Sequence, residues 1–361
     1  MKPLYVAATV MDSGKTCFSI GLLQALRNRN LNPGYFKPVG QHYISYQNCS
    51  IDEDAALIHE IFKLNDNPQY LNPIAVERGF TQRFIENPDV THLENKILNS
   101  AEQLLNAHSS LIVEGTGHAG VGSCFGLSNA KVASLLNAKV IIITRGGIGK
   151  PIDEIALSLA LFEKHNVPVL GVILNKVLTD KYQKVTESVS KGLKHLGTTL
   201  LASIPYEPFL RYFSVGQLIE EFGYNLLCGS QFLSNKIERI VVAAMEPENA
   251  ASYIKEGTLV IVPYDRTDNI LACVEHLSNF APKSGGILLT GNSSPDHKVA
   301  EVLKNAPLPA LISEMDTFTV SVAMKDVEFK IRNYDSEKIT KLHSLISDYI
   351  NVGQILDELN S

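Results

Sequence analysis

Asp12-Ser13-Gly14-Lys15-Thr16 is the stretch of this chain whose residue types most directly suggest chemistry. A short apolar run, Leu4 to Val10, precedes it, and an amphipathic run from Cys17 to Arg27 follows. Strand, Gly-Lys-Thr turn and helix is the layout of a phosphate-binding loop. The backbone N–H groups of such a turn point inward at a helix N-terminus and cradle a polyphosphate. The expected nucleotide-binding segment is therefore Asp12, Ser13, Gly14, Lys15, Thr16 and Cys17. Lys15 would place a cation on the β- and γ-phosphates, and the Thr16 hydroxyl would serve Mg²⁺. The full motif GxxxxGK[ST] asks for glycine at position 9, where this chain has Thr9.

Further candidates stand at the ends of other apolar runs, where open α/β sheets collect their ligands. Gly34-Tyr35-Phe36 ends in Lys37-Pro38-Val39-Gly40. A right-handed crossover sets this strand parallel to the first, so Lys37 could face the same phosphates as Lys15. Two lysines would neutralise charge on a transferring phosphoryl group, and both are catalytic candidates. Asp52, Glu53 and Asp54 open a helix; first-turn carboxylates of this kind are usually caps or dipole partners. Asp54 is the one expected to reach Mg²⁺ beside Thr16. Leu111-Ile112-Val113-Glu114-Gly115-Thr116-Gly117 is a strand ending in a carboxylate and a glycine-rich turn, which makes Glu114 the second metal-site candidate. His118 follows that turn. Asn175-Lys176 ends another strand, and the Asn175 amide could bond an adenine edge.

The elements that must position these residues alternate in a βα rhythm. Strands are expected near 3–10, 34–39, 110–116, 139–145, 167–175 and 199–205. Helices are expected near 15–29, 52–64, 92–108, 129–137, 150–165 and 181–196. Val140-Ile141-Ile142-Ile143 and Val169 to Leu174 are almost unbroken apolar runs, the mark of parallel strands buried on both faces. The fold class expected is α/β, a doubly wound, mainly parallel sheet. The rhythm pauses over 206–238 and restarts at Arg239-Ile240-Val241-Val242, with helical patterns at 316–326 and 336–349 near its end, so a second, smaller α/β domain is expected. The boundaries read 1–212 and 213–361. The chain of 361 residues is too long for one ordinary core.

Bulk properties exclude several classes. A net charge of −6 argues against a nucleic-acid surface. No apolar run reaches membrane-spanning length, and the first residues lack a signal-peptide pattern. Five scattered cysteines, none in a CxxC pair, point to neither a disulfide framework nor a zinc site. A cytoplasmic protein is the expectation.

DSGKT, YFKPVG, the Asp54 helix start, VEGTG and LNK, in this order, resemble the dethiobiotin synthetase-like branch of the P-loop ATPases over roughly residues 1–210. Within that branch the chain is similar to the N-terminal domain of long bacterial phosphate acetyltransferases. Ser214-Val215-Gly216-Gln217-Leu218 fits that group. Ala244 to Asn249, Pro263-Tyr264-Asp265-Arg266-Thr267-Asp268 and Gly285 to Gly291 resemble a DRTGG domain, a regulatory or dimerisation module. Asp265-Arg266 could be a buried salt bridge, a ligand clamp or an oligomer contact.

The resemblance implies ATP and Mg²⁺ as ligands, with Asn175 and Lys176 on the nucleotide, and a homodimer. Three positions depart from the synthetase pattern: Ala8 replaces a glycine, Met11 a threonine and Gln41 a serine. The last two border the carbamate site in that family. The chain also stops before any acetyl-transfer domain, so it is not expected to be a complete phosphate acetyltransferase. Two functions stay open. One is an ATP–Mg²⁺-binding regulatory or sensing protein that answers to a small-molecule effector. The other is an ATP-dependent ligase that activates a carboxylate or carbamate as an acyl phosphate, as dethiobiotin and cobyrinic acid diamide synthases do.

Overall fold

The first strand, β1 (Leu4–Ala8), is buried along its whole length. It leads through the Thr9–Gly14 loop into α1 (Lys15–Arg27). The computed structural model describes residues 1–327 and 329–360, which divide into two compact units: 1–207 with 331–360, and 208–330.

In the first unit, β2 (Pro33–Phe36) is followed by a small hairpin and then α2 (Glu53–Phe62). β3 (Ser110–Glu114), β4 (Lys139–Arg145), α3 (Gly149–Lys164), β5 (Val169–Val177) and β6 (Leu200–Pro205) complete the frame. The six strands form one sheet in the order β6-β5-β4-β1-β3-β2, every pair parallel. Ile141, Ile142 and Ile143 are fully buried, as strands covered on both faces require. β1 sits mid-sheet where the chain's progression reverses, so the loop after it opens at the switch point that α/β sheets use for ligands.

The second unit repeats the pattern with a smaller sheet. α4 (Val215–Phe222) starts in a capping box: Gln217 N donates to Ser214 Oγ, and Ser214 N donates to Gln217 Oε1. β7 (Asn225–Cys228), β8 (Arg239–Val242), β9 (Thr258–Pro263), α5 (Thr267–Ser278), β10 (Gly286–Thr290) and β11 (Ala310–Ser313) follow. Their order is β7-β11-β10-β9-β8, parallel except for the edge strand β7. The expected α/β class holds for both units.

One expectation needs correction. The second domain does not run to the C-terminus. After α6 (Thr317–Asp326) the chain returns to the first unit, where α7 (Ser336–Tyr349) packs on α1 and α8 (Val352–Asn360) follows. The helical period at 336–349 was legible, but amphipathicity says only that an apolar stripe is buried, not which unit buries it. Here Leu342 and Ile346 meet α1 at Gly21, where an added Cβ would lie 2.2 Å from Ile346 Cγ1. The second unit is therefore an insertion between β6 and α7.

Candidate functional site

The loop after β1 is held from below by its own odd residue. Thr9, where the motif asks for glycine, is buried. Its hydroxyl lies 2.9 Å from the Thr144 hydroxyl and donates to Glu154 Oε2 at 3.0 Å. The departure thus ties the loop to β4 and α3. Further on, Ser13 Oγ donates to Val10 O at 2.8 Å. Asp12 and Gly14 both take left-handed backbone conformations, at φ 55° and 98°. At Gly14 a Cβ would fall 2.3 Å from Asn175 Nδ2, so only glycine fits.

Asn175 and Lys176, at the end of β5, do meet this loop. Asn175 Nδ2 donates to Ser13 O at 2.8 Å and its Oδ1 accepts from Lys176 N at 2.9 Å. Lys176 Nζ donates to Asp12 O at 2.9 Å. Their observed work is to brace the loop backbone.

On the other side, α1 and β3 bring the charged residues together. Lys15 is buried and Nζ donates to Gly117 O at 3.2 Å. Burial, more than its neighbours, holds its amine below the ordinary value. Thr16 Oγ1 donates to Glu114 Oε1 at 2.8 Å, and Ser19 Oγ donates to Glu114 Oε2 at 2.9 Å. Lys37 is buried and lies 2.8 Å from Asp52 Oδ1, in contact with Asp54 and 3.8 Å from Glu114 Oε1. Burial opposes its charge, but Asp54, Asp52 and Glu114 together hold the amine above its ordinary value. Burial pushes Glu114 up, against the pull of Lys37 and Lys15. Cys17 is different in kind. Burial pushes its thiol up to about 11, so at neutral pH it is a protonated packing group.

Oxygen donors and lysines therefore converge where β1, β2 and β3 end. Among the described residues no three acidic, His or Cys side chains are grouped to hold a metal unaided. The donor chemistry still fits Mg²⁺. Thr16 and Glu114 offer hard oxygens 2.8 Å apart, close to the spacing of about 2.9 Å between adjacent ligands in an octahedral Mg²⁺ shell. Asp54 is linked to them through Lys37. Mg²⁺ ordinarily takes only one or two carboxylates and completes its shell with phosphate and water.

Several residues of this site were missed by the sequence reading. Asp52, read as a cap, does cap α2, accepting from Asp54 N at 3.0 Å. It also accepts from Gln41 N at 3.0 Å and His42 N at 3.2 Å while pairing with Lys37. The Tyr43–Tyr46/Cys49–Asp52 hairpin delivers it there through a turn at Gln47-Asn48, both at positive φ. That turn lacks the Asn-Gly signal, so it was not legible. Asn129 was also missed. It accepts from Tyr5 OH at 2.8 Å and Thr116 N at 3.1 Å, and donates to Thr116 O at 2.8 Å and His118 O at 2.6 Å. It thereby fixes the turn that carries Gly117. His118 itself is exposed. Met11 and Gln41, the altered positions, are exposed as well, and in the second unit Asp265 and Arg266 are exposed, which removes the buried salt bridge.

The comparisons agree with this anatomy. An AAA domain profile matches residues 2–212 and a DRTGG domain profile matches residues 217–327. A phosphate acetyltransferase of Nitratidesulfovibrio vulgaris is 25% identical over 98% of this chain and 51% of its own length. One of Pseudomonas putida is 24% identical over the same shares. The chain spans about half the length of these curated relatives. The ATP-dependent dethiobiotin synthetase BioD of Nitrosopumilus maritimus is 27% identical over 57% of this chain and 90% of its own length. With a profile covering more than half its length, the chain belongs to the AAA domain family in its dethiobiotin synthetase-like P-loop form, joined to a DRTGG domain.

Proposed function

We propose that this protein binds ATP–Mg²⁺ at the Gly14-Lys15-Thr16 loop and acts as a nucleotide-dependent regulatory or sensing protein. The observation that carries the nucleotide is the convergence of Lys15, Thr16, Lys37, Asp54 and Glu114 at one end of the sheet. Lys15 takes the β- and γ-phosphates, and Thr16, Glu114 and Asp54 serve Mg²⁺. That Mg²⁺ supplies charge neutralisation on the phosphates when bound. Asn175 and Lys176 hold the loop in register and line the base side of the nucleotide. The regulatory part is supported by the insertion of a whole DRTGG unit into the nucleotide-binding unit. A homodimer in the cytoplasm, answering to a small-molecule effector, completes the proposal. No helix among the described residues is long and apolar enough to cross a membrane.

A second reading, an ATP-dependent ligase forming an acyl phosphate, draws on the alignment of nearly a whole dethiobiotin synthetase with this chain. Lys15 and Lys37 would then stabilise the transferring phosphoryl group. Calorimetry with ATP and Mg²⁺, followed by phosphate release over a panel of carboxylates, separates the two. Micromolar binding without turnover is expected. Substrate-dependent phosphate release would favour the ligase, and absence of ATP binding would remove both.

A further inference from the structure

The helix that returns after the inserted unit carries a buried lysine whose ion pair is long. Lys338 lies in the first turn of α7 and is 6% exposed. Its Nζ is buried and, among the described residues, has no hydrogen-bond partner. It pairs with Asp335 Oδ2 at 3.5 Å, an oxygen that already accepts from Arg332 N at 2.9 Å. A single ion pair at 3.5 Å leaves the buried ammonium's donors unsatisfied, which is unfavourable.

Its position follows from helix geometry. Lys338, Leu342 and Ile346 are spaced four apart, so they share one face of α7. Leu342 O and the Ile346 side chain are the groups that meet α1 at Gly21. Cys17 lies one turn before Gly21 on α1, as Lys338 lies one turn before Leu342 on α7. Cys17 and Lys338 are near enough for the charge of each to bear on the other's titration, in keeping with this arrangement. Lys338 therefore lies on the face of α7 that is turned toward α1, one turn before the Gly21 contact. Lys15, Thr16 and Cys17 open that helix, and their backbone N–H groups have no carbonyl one turn back within it. A cation beside the positive end of a 13-residue helix is repelled rather than stabilised. An anion between them resolves both problems at once.

We propose that Lys338 is an additional nucleotide-binding residue, supplied from beyond the inserted unit, which contacts the phosphate nearest the ribose of the nucleotide held by the Lys15 loop. This rests on the nucleotide-binding reading above. Lys15 serves the terminal phosphates, and Lys338 serves the end that ADP and ATP share. The nucleotide site is then built from two stretches of chain that the DRTGG unit separates.

The test is ADP–Mg²⁺ and ATP–Mg²⁺ binding to the full chain by calorimetry, for wild type, Lys338→Met and Lys338→Arg, with Lys341→Met as a control on the same helix. Lys341 pairs instead with Glu207, at 2.9 Å. Lys338→Met is expected to weaken both nucleotides roughly ten- to hundred-fold, the range for a lost charge-assisted hydrogen bond. Lys338→Arg should recover part of the loss, and Lys341→Met should bind as wild type does. Thermal unfolding without nucleotide guards against misfolding: Lys338→Met should melt at or above the wild-type temperature. A folded Lys338→Met with wild-type affinity for both nucleotides would overturn the proposal and leave the nucleotide site standing. A wild-type chain that binds neither nucleotide would remove both together.

Discussion

Lys15 shows how a single side chain is set against the fold that holds it. It is buried, its Nζ donates to Gly117 O, and burial holds its amine below the ordinary value. The charged form is thus penalised in the folded state. Lys15→Met should stabilise the protein at pH 7 by about 1 kcal/mol while abolishing tight nucleotide binding. The pH dependence has a definite sign. Between the depressed folded value and about 10.4, the unfolded chain binds more protons than the folded one. Wild-type stability should therefore rise with pH through that window, and the Lys15→Met profile should be flatter there. Urea unfolding at stepped pH measures this; a wild type that loses stability relative to the variant over that window would contradict the assigned burial. At this scale the sequence was informative, because Gly14-Lys15-Thr16, Lys37, Asp54 and Glu114 all stand at strand ends or helix starts. Asp52 and Asn129 were not legible, since their roles come from partners 15 and 124 residues away, Lys37 and Tyr5.

At the scale of elements, the decisive contact is α1 against α7. Gly21 is glycine because the neighbouring backbone is too near: a Cβ there would lie 2.9 Å from Leu342 O as well as against Ile346. Gly21→Ala gains helix propensity of about 1 kcal/mol but overpacks the contact by about 1–3 kcal/mol, so a net loss of stability is expected. Adding Ile346→Ala should cost less in the Gly21→Ala background than in wild type, because it removes one of the two clashes. A double-mutant cycle from urea unfolding reads this coupling directly, and strict additivity would deny the close approach. The βα rhythm that predicted both helices carried no information on their pairing. The period of an amphipathic helix names its buried face and leaves the partner open. The small hairpin before α2 escaped notice for a related reason: its turn residues, Gln47 and Asn48, take positive φ without the glycine that usually announces it.

At the scale of the whole molecule, the chain leaves the first unit after Glu207 and re-enters it at Ile331. The first unit is thus discontinuous in sequence. Removing residues 331–361 should strip α1 of its cover, exposing Gly21 and the face of α1 around it, even though every motif residue remains. Circular dichroism melting of such a truncated chain is expected to show loss of the cooperative transition of the first unit; a melt matching that of the full chain would show that α7 and α8 are dispensable. The sequence by itself determined the class of the fold, the phosphate loop and the charged residues that surround it, because those depend on local periodicity and on residues at strand ends. The tertiary structure alone decided where the second unit begins and ends, how Asp52 and Asn129 serve the site, and which helix covers α1. These are outcomes of pairing between segments far apart in the chain, and a pattern of buried and exposed positions along one segment does not encode its partner.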